Sequence, residues 1–195
     1  MLWHFIRGIL EIMKNALRVF LFCGLLFSLV SCDFSFSGPL VLDCPESIVA
    51  RVYEYAVKYK EADTEYKWGG QDPLRAIQVD CSGLVIRCYQ YALEGTGFSL
   101  LQPDMSSAYM YENAATLVPL EQLRPGDLIF MGEKNSANIT HIAIFSRAEG
   151  NTIYFIDSTE KSAEGKTPSV NGVTERSYSR NDKRFKSGGI MQLKH

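Results

Sequence analysis

Apolar residues recur with a helical period in the first part of this chain and in short strand-like runs after Pro125. That switch constrains the fold more than any other feature. From Pro45-Glu46 onward, Ile48, Val49, Val52, Ala56 and Tyr59 fall on one helix face, and proline suits the first turn. The polar stretch Glu61 to Tyr66 ends that helix, and Trp68-Gly69-Gly70-Gln71-Asp72-Pro73 is rich in turn formers. Ser82 to Leu93 reads as a second helix with Leu84, Val85, Cys88 and Ala92 inward. Asp80 is placed to cap it, and Gly95 and Gly97 stop it. Asp104 to Asn113 is a third, short helix. Beyond Leu123-Arg124-Pro125-Gly126-Asp127, where Asp127 is expected to bond turn N–H groups, the runs Leu128–Met131, His141–Ser146, Thr152–Asp157 and Gly189–Leu193 read as strands. Glu149-Gly150-Asn151 joins two of them as a tight hairpin. Helices packed on one side of an antiparallel sheet make an α+β domain.

The amino terminus reads as an export signal. Val19 to Val30 is an apolar run preceded by Lys14 and Arg18, too short to span a bilayer comfortably. Met13-Lys14-Asn15 looks like a more natural start than Met1. The run ends in Leu29-Val30-Ser31-Cys32, which resembles the bacterial lipobox, whose cysteine is lipidated and becomes the first mature residue. Residues 1–31 are therefore expected to be a lipoprotein signal peptide. Residues 32–44 would be a lipidated Cys32 with a tether broken by Ser37-Gly38-Pro39, and 45–195 the folded domain. Several acyl chains on Cys32 would hold the chain to a membrane strongly, in the cell envelope. Asp33 after that cysteine resembles an inner-membrane retention signal of some Gram-negative bacteria.

The mature portion from Cys32 has 164 residues, enough for one core. The removed segment takes Arg7, Lys14, Arg18 and Glu11, which leaves 17 basic against 21 acidic residues, a formal charge of −4. No basic stripe points to nucleic acid. The mature cysteines are Cys32, Cys44, Cys81 and Cys88, with no Cys-x-x-Cys pair, so the pattern argues against a structural zinc. Cys88 reads as a core residue; a Cys44–Cys88 disulfide in an oxidising compartment is the alternative.

Asp80-Cys81-Ser82-Gly83-Leu84-Val85 puts a cysteine at the mouth of a helix. Of the three histidines, His4 lies in the segment expected to be removed and His195 ends the chain, which leaves His141 as its partner. Either residue alone fits a structural role. Together they are the minimum for thiolate chemistry.

Several motifs in order then carry a family resemblance. They are Tyr66-Lys67-Trp68-Gly69-Gly70, Asp80-Cys81-Ser82-Gly83-Leu84-Val85, Leu123-Arg124-Pro125-Gly126-Asp127-Leu128-Ile129-Phe130 and His141-Ile142-Ala143-Ile144-Phe145. In this the chain resembles the NlpC/P60 cysteine peptidases, a papain-like group that cuts peptidoglycan stem peptides. The resemblance covers roughly Ile48 to Leu193. With the lipobox, it looks like the family's single-domain lipoprotein endopeptidases. It implies hydrolysis of amide bonds in stem peptides or cross-links, with no cofactor. Cys81 would be the nucleophile and His141 the acid–base residue. Asp157 stands where the family often places a second histidine, with Asn151 the fallback. The resemblance also implies Tyr66 as an oxyanion donor. A carboxylate can orient an imidazole through its N–H. Trp68, Gly69, Asp80 and Ser82 are candidates for substrate contact, and Ser106-Ser107 weaker ones. For Asp80, a helix cap and a partner for a cationic group of the stem peptide stand about equal. Two other readings share these residues: a papain-like amidase or acyltransferase on another envelope substrate, and a non-catalytic wall-binding lipoprotein.

Overall fold

The computed structural model describes residues 38–70, 78–163 and 169–195. The signal segment and Cys32 lie outside the described residues, and so do positions 71–77 of the turn-rich loop. Three helices pack with a mostly antiparallel sheet, giving the expected α+β class.

Helix α1 (Glu46–Glu61) buries Ile48, Val49, Val52, Ala56 and Tyr59, the face read from the sequence. Glu46 lies in its first turn and Lys58 and Lys60 in its last, each complementing the helix dipole. Helix α2 (Cys81–Leu93) buries Leu84, Val85, Cys88 and Ala92, and its amino terminus is capped by Asp80. The two helices lie against each other through stacked Tyr55 and Tyr91, 5.2 Å apart, and through Arg51, which donates to the Tyr91 carbonyl at 3.2 Å. Helix α3 (Ser107–Asn113) is three residues shorter than expected at its start. The Ser106 hydroxyl accepts from the Tyr109 N–H at 3.2 Å and so fixes the first turn there.

The strands, in chain order, are β1 (Val41–Asp43), β2 (Glu65–Tyr66), β3 (Gln78–Val79), β4 (Ser99–Leu100), β5 (Ala115–Val118), β6 (Leu128–Met131), β7 (His141–Glu149), β8 (Thr152–Lys161), β9 (Val170–Ser179) and β10 (Phe185–Lys194). The main sheet runs β1-β10-β6-β7-β8-β9, with β4 and β5 also on β10. β7 and β8 form the expected hairpin, turning at Gly150-Asn151. Alternation sorts the sheet into two faces. Leu128, Phe130, Ile142, Ile144 and Ile156 join the helices in one core; Ile129, Ala143, Phe145, Ile153 and Phe155 form a second cluster. Each fully buried Ile or Phe contributes about 1.5–3 kcal/mol of transfer free energy, so the sheet is held from both sides.

Two expectations change. The tether was read as running to Cys44, but Val41–Asp43 form β1, paired with Gln192–Lys194 of β10. The reason is that β10 offers a free edge, and Val41-Leu42 can use it despite the preceding Gly-Pro. The second is β9, where no strand was expected. Its ten residues pair in register with β8 from Thr152↔Ser179 to Lys161↔Val170. Gly172 makes room on β9 for the chain entering β2. Its φ is +136°, and a Cβ there would lie 2.3 Å from the Thr64 carbonyl oxygen, which accepts the Val173 N–H at 2.8 Å. Cys44 and Cys88 are buried and unpaired, so the core reading of Cys88 stands and no disulfide joins them.

Candidate active site

Tyr66 and Cys81 are brought together by a two-residue ladder. β2 and β3 are parallel, with Tyr66 opposite Val79, and Val79 leads directly into Asp80 and Cys81. The Ser158 hydroxyl on β8 donates to the Val79 carbonyl at 2.5 Å, tying this ladder to the main sheet. Asp80 is extended, and both its oxygens are engaged by the chain. Oδ1 accepts the Gly83 N–H at 2.6 Å and the Ser82 hydroxyl at 3.0 Å; Oδ2 accepts the Gly69 N–H at 3.0 Å. The cap expected of Asp80 is present. Ser82 serves that cap as well. Gly70 is required by close approach: its added Cβ would sit 2.5 Å from the Gln78 carbonyl oxygen.

Cys81 is the first residue of α2, partly buried. As the first helical residue it sits at the positive end of the helix dipole. It opens into a cleft of about 310 Å³ lined by Trp68, Asp80 and Ser82 on one side and by Met105, Ser106 and Ser107 on the other. Trp68 is 84% exposed on this rim. Thr140 closes the end next to His141.

His141 opens β7, and its Nε2 is 2.5 Å from Asp157 Oδ2. That leaves Nδ1 for the thiol of Cys81, which lies close enough to the ring to influence its charge. Burial opposes charging this imidazole, whose side chain is 21% exposed. Hydrogen bonds to Asp157 and Cys81, with their charges, outweigh burial and push its pKa up to about 9. Asp157 is fully buried. Burial disfavours its charge, but hydrogen bonds from His141 and Arg176 hold it below the usual carboxylate range. Burial, followed by Cys81, Asp80 and Glu160, pushes the Tyr66 phenol up, so it keeps its proton near neutrality and can donate.

The remaining residues fall elsewhere. Asn151 sits in the β7–β8 turn with its amide on the Ser179 hydroxyl at 2.9 Å, so the residue on His141 is Asp157. His195 packs against Phe98, 4.7 Å between ring centres. Asp127 bonds the Arg124 backbone and guanidinium, the turn role expected of it. Sequence reasoning missed Arg176, Thr140 and Met105. Thr140 adjoins His141 and was open to inspection; Arg176 required β9. Among the described residues, no three His, Cys, Asp or Glu side chains are grouped to hold a metal ion.

The family model for NlpC/P60 matches residues 63–181, a span that takes in the cysteine, the histidine and the carboxylate. The chain belongs to the NlpC/P60 family. Membership supports a cell-wall peptidase-like function in general, in a family generally of cysteine peptidases and amidases. The fold is shared with NlpC1 from Trichomonas vaginalis, with 16% identity and a TM-score of 0.50 over 76% of this chain and 45% of that one. Also similar is a Staphylococcus aureus NLP/P60-family protein described as similar to a lipoprotein. It has 25% identity and a TM-score of 0.49 over 84% of this chain and 47% of that one. A P60 domain of a Mycobacterium avium subspecies paratuberculosis antigen gives 22% identity and a TM-score of 0.44, over 73% and 96%. The chain thus spans about half the length of the first two structures. No curated protein sequence matches.

Proposed function

We propose that this protein is a cysteine peptidase of the cell envelope that hydrolyses amide bonds in peptidoglycan stem peptides or their cross-links. The reading rests on one observation above others. A cysteine at a helix start meets an imidazole already held by a buried carboxylate, beside an open cleft, in a chain of this family.

A cysteine reacts as its thiolate, and Cys81 is the cysteine that opens on the cleft. The Cys81 sulfur adds to the amide carbonyl carbon, and the carbonyl electron pair moves onto oxygen. Helix-start N–H groups and the Tyr66 hydroxyl would donate to that oxyanion. The tetrahedral adduct collapses, the C–N bond breaks, and His141 gives its proton to the leaving amine. A thioester remains. His141, now neutral, takes a proton from water as the water oxygen attacks; the C–S bond breaks, and the thiolate–imidazolium pair is restored. Asp157 holds the imidazole with Nδ1 toward the sulfur throughout. Trp68 is the rim residue for substrate contact, and Gly69 supports it through its N–H on Asp80. Asp80 and Ser82 act through the loop and helix start they tie together.

The same reading anchors the chain to an envelope membrane by lipid on Cys32, supported by Leu29-Val30-Ser31-Cys32. Intact-mass analysis of membrane extracts should find Cys32 modified, and Cys32→Ala should release the protein or block processing. The deciding experiment is incubation of the full chain with purified sacculi and mass analysis of the soluble products. Stem-peptide fragments with a newly freed amine should appear, and Cys81→Ala should yield none. Release of no such fragment by protein with a reactive Cys81 would defeat the reading.

A further inference from the structure

Asp157 does not serve His141 alone. Asp157 lies opposite Thr174 and Phe155 opposite Arg176, so Asp157 and Arg176 are diagonal neighbours on one face of the β8–β9 ladder. Arg176 grips the carboxylate with two donors: Nε to Oδ1 at 2.9 Å, and Nη2 to Oδ2, the same oxygen that meets His141 Nε2. Its side chain is only 14% exposed, and it is itself held in place. Nη1 donates to the Tyr178 hydroxyl at 2.8 Å, and the guanidinium lies 5.4 Å over the Phe155 ring. Tyr178 is in turn covered by the Arg184 guanidinium at 3.5 Å and packed against Phe155 and Phe185.

We propose that Arg176 is a positioning residue for this site: through Asp157 it fixes the carboxylate that orients His141, and it withdraws part of that carboxylate's charge from the imidazole. The inference rests on Cys81 and His141 being the reacting pair. Two physical effects follow. A bidentate guanidinium fixes the carboxylate plane, which one hydrogen bond to an imidazole does not. A cation sharing the anion also limits how far Asp157 can stabilise the imidazolium. An imidazolium held too tightly is a poor acid for the leaving amine, so the shared cation keeps the proton transferable. The charged and titratable groups around the ring come from several elements. Cys81 on α2 and Asp157 on β8 act on the ring itself, and the pocket it lines also carries Lys161 on β8, Arg176 and Tyr178 on β9, Arg184 before β10 and Glu133 after β6. Of these, Arg176 is the cation bonded to Asp157 itself.

The test needs no substrate, so its outcome is separable from that of the sacculus assay. Carboxymethylation of Cys81 in the full chain by iodoacetate, resolved by peptide mass, is followed against pH. Iodoacetate is an anion drawn by the imidazolium, so the upper limb of the profile marks loss of the His141 proton. Arg176→Gln should move that limb up by about one pH unit, and Arg176→Lys, which keeps the charge, should stay within a few tenths. A limb at or below the wild-type position in folded Arg176→Gln overturns the proposal, and so does an Arg176→Lys shift as large as that of Arg176→Gln. If Arg176→Gln does not fold, Asp157→Asn is compared with Asp157→Asn/Arg176→Gln, which removes both buried charges. Because Arg176 acts through the carboxylate, the two limbs should coincide; a double-variant limb about one pH unit above that of Asp157→Asn would be a direct effect of the cation on the ring and overturns the proposal.

Discussion

The raised pKa of His141 makes the stability of this fold depend on pH in a calculable way. The imidazole titrates near 6.5 when unfolded and at about 9 in the folded protein. The folded state therefore binds the proton more tightly, and protonation stabilises it. That contribution is complete below about pH 6.5 and is lost as pH rises through about 9. At about 1.4 kcal/mol per pH unit, the displacement amounts to about 3 kcal/mol, a sizeable part of the 5–15 kcal/mol typical of a domain. Only 21% of the side chain is exposed, so solvent screening does not dissipate it. Urea unfolding under reducing conditions, at intervals from pH 6 to pH 9.5, measures it directly. His141→Gln removes the titrating group and supplies the baseline, with Cys81→Ser in both chains so that a thiol ionising beside the imidazole does not offset its proton; Asp157 stays ionised with Arg176 across this range. The advantage of His141 over Gln should shrink by up to about 3 kcal/mol between those limits. Parallel curves would show that the proton on His141 is not held by the Asp157 contact, and the charge distribution described for the site would be wrong.

Cys81→Ala should abolish hydrolysis with little change in thermal unfolding, and Cys81→Ser should be almost as inactive, since a hydroxyl ionises far less readily than a thiol. Iodoacetamide should label Cys81 much faster than Cys88, which is fully buried with its thiol pushed up by desolvation; equal rates would contradict the activated-thiol reading. Asp157→Asn should lower turnover on the order of 10 to 10³, less than the 10⁴ of a serine triad. It should also cost about 3–5 kcal/mol of stability by leaving Arg176 buried without its anion. Asn151→Ala, losing one exposed hydrogen bond, should leave turnover unchanged in the same assay. Gly172→Ala should destabilise by more than about 1 kcal/mol and lower activity through displacement of Tyr66, since its Cβ would meet backbone rather than a movable side chain.

Local signals explain what was legible. The α1 face, the Asp80 cap and the Gly150-Asn151 hairpin each depend on residues a few positions apart, and each is found where the pattern placed it. β1 and β9 were not legible because their strand state is conferred by partners. Val41–Asp43 is too short and too close to Gly38-Pro39 to declare itself, and it is a strand because β10 has an edge to fill. Val170 to Ser179 mixes Asn, Gly, Glu, Arg and Ser with only scattered β-formers. It is extended because β8 presents ten residues to pair with, along a ladder whose two faces differ in burial.

The site divides along the same line. Cys81 and His141 could be paired in the sequence because each sits in a motif read within a few residues and no other mature histidine has a comparable setting. Asp157 could be named but not separated from Asn151, because the choice depends on where the β7–β8 hairpin turns, and one residue of slip would exchange the faces. Arg176 lay beyond reach, since its link to Asp157 exists only through the diagonal of β8 on β9. Yet a physical hint was present. A carboxylate buried so completely demands more than one neutral or part-time cationic partner to remain ionised. An anion proposed for the core of a catalytic site therefore predicts a second, permanent cation near it in space, and here the neighbouring strand supplies Arg176.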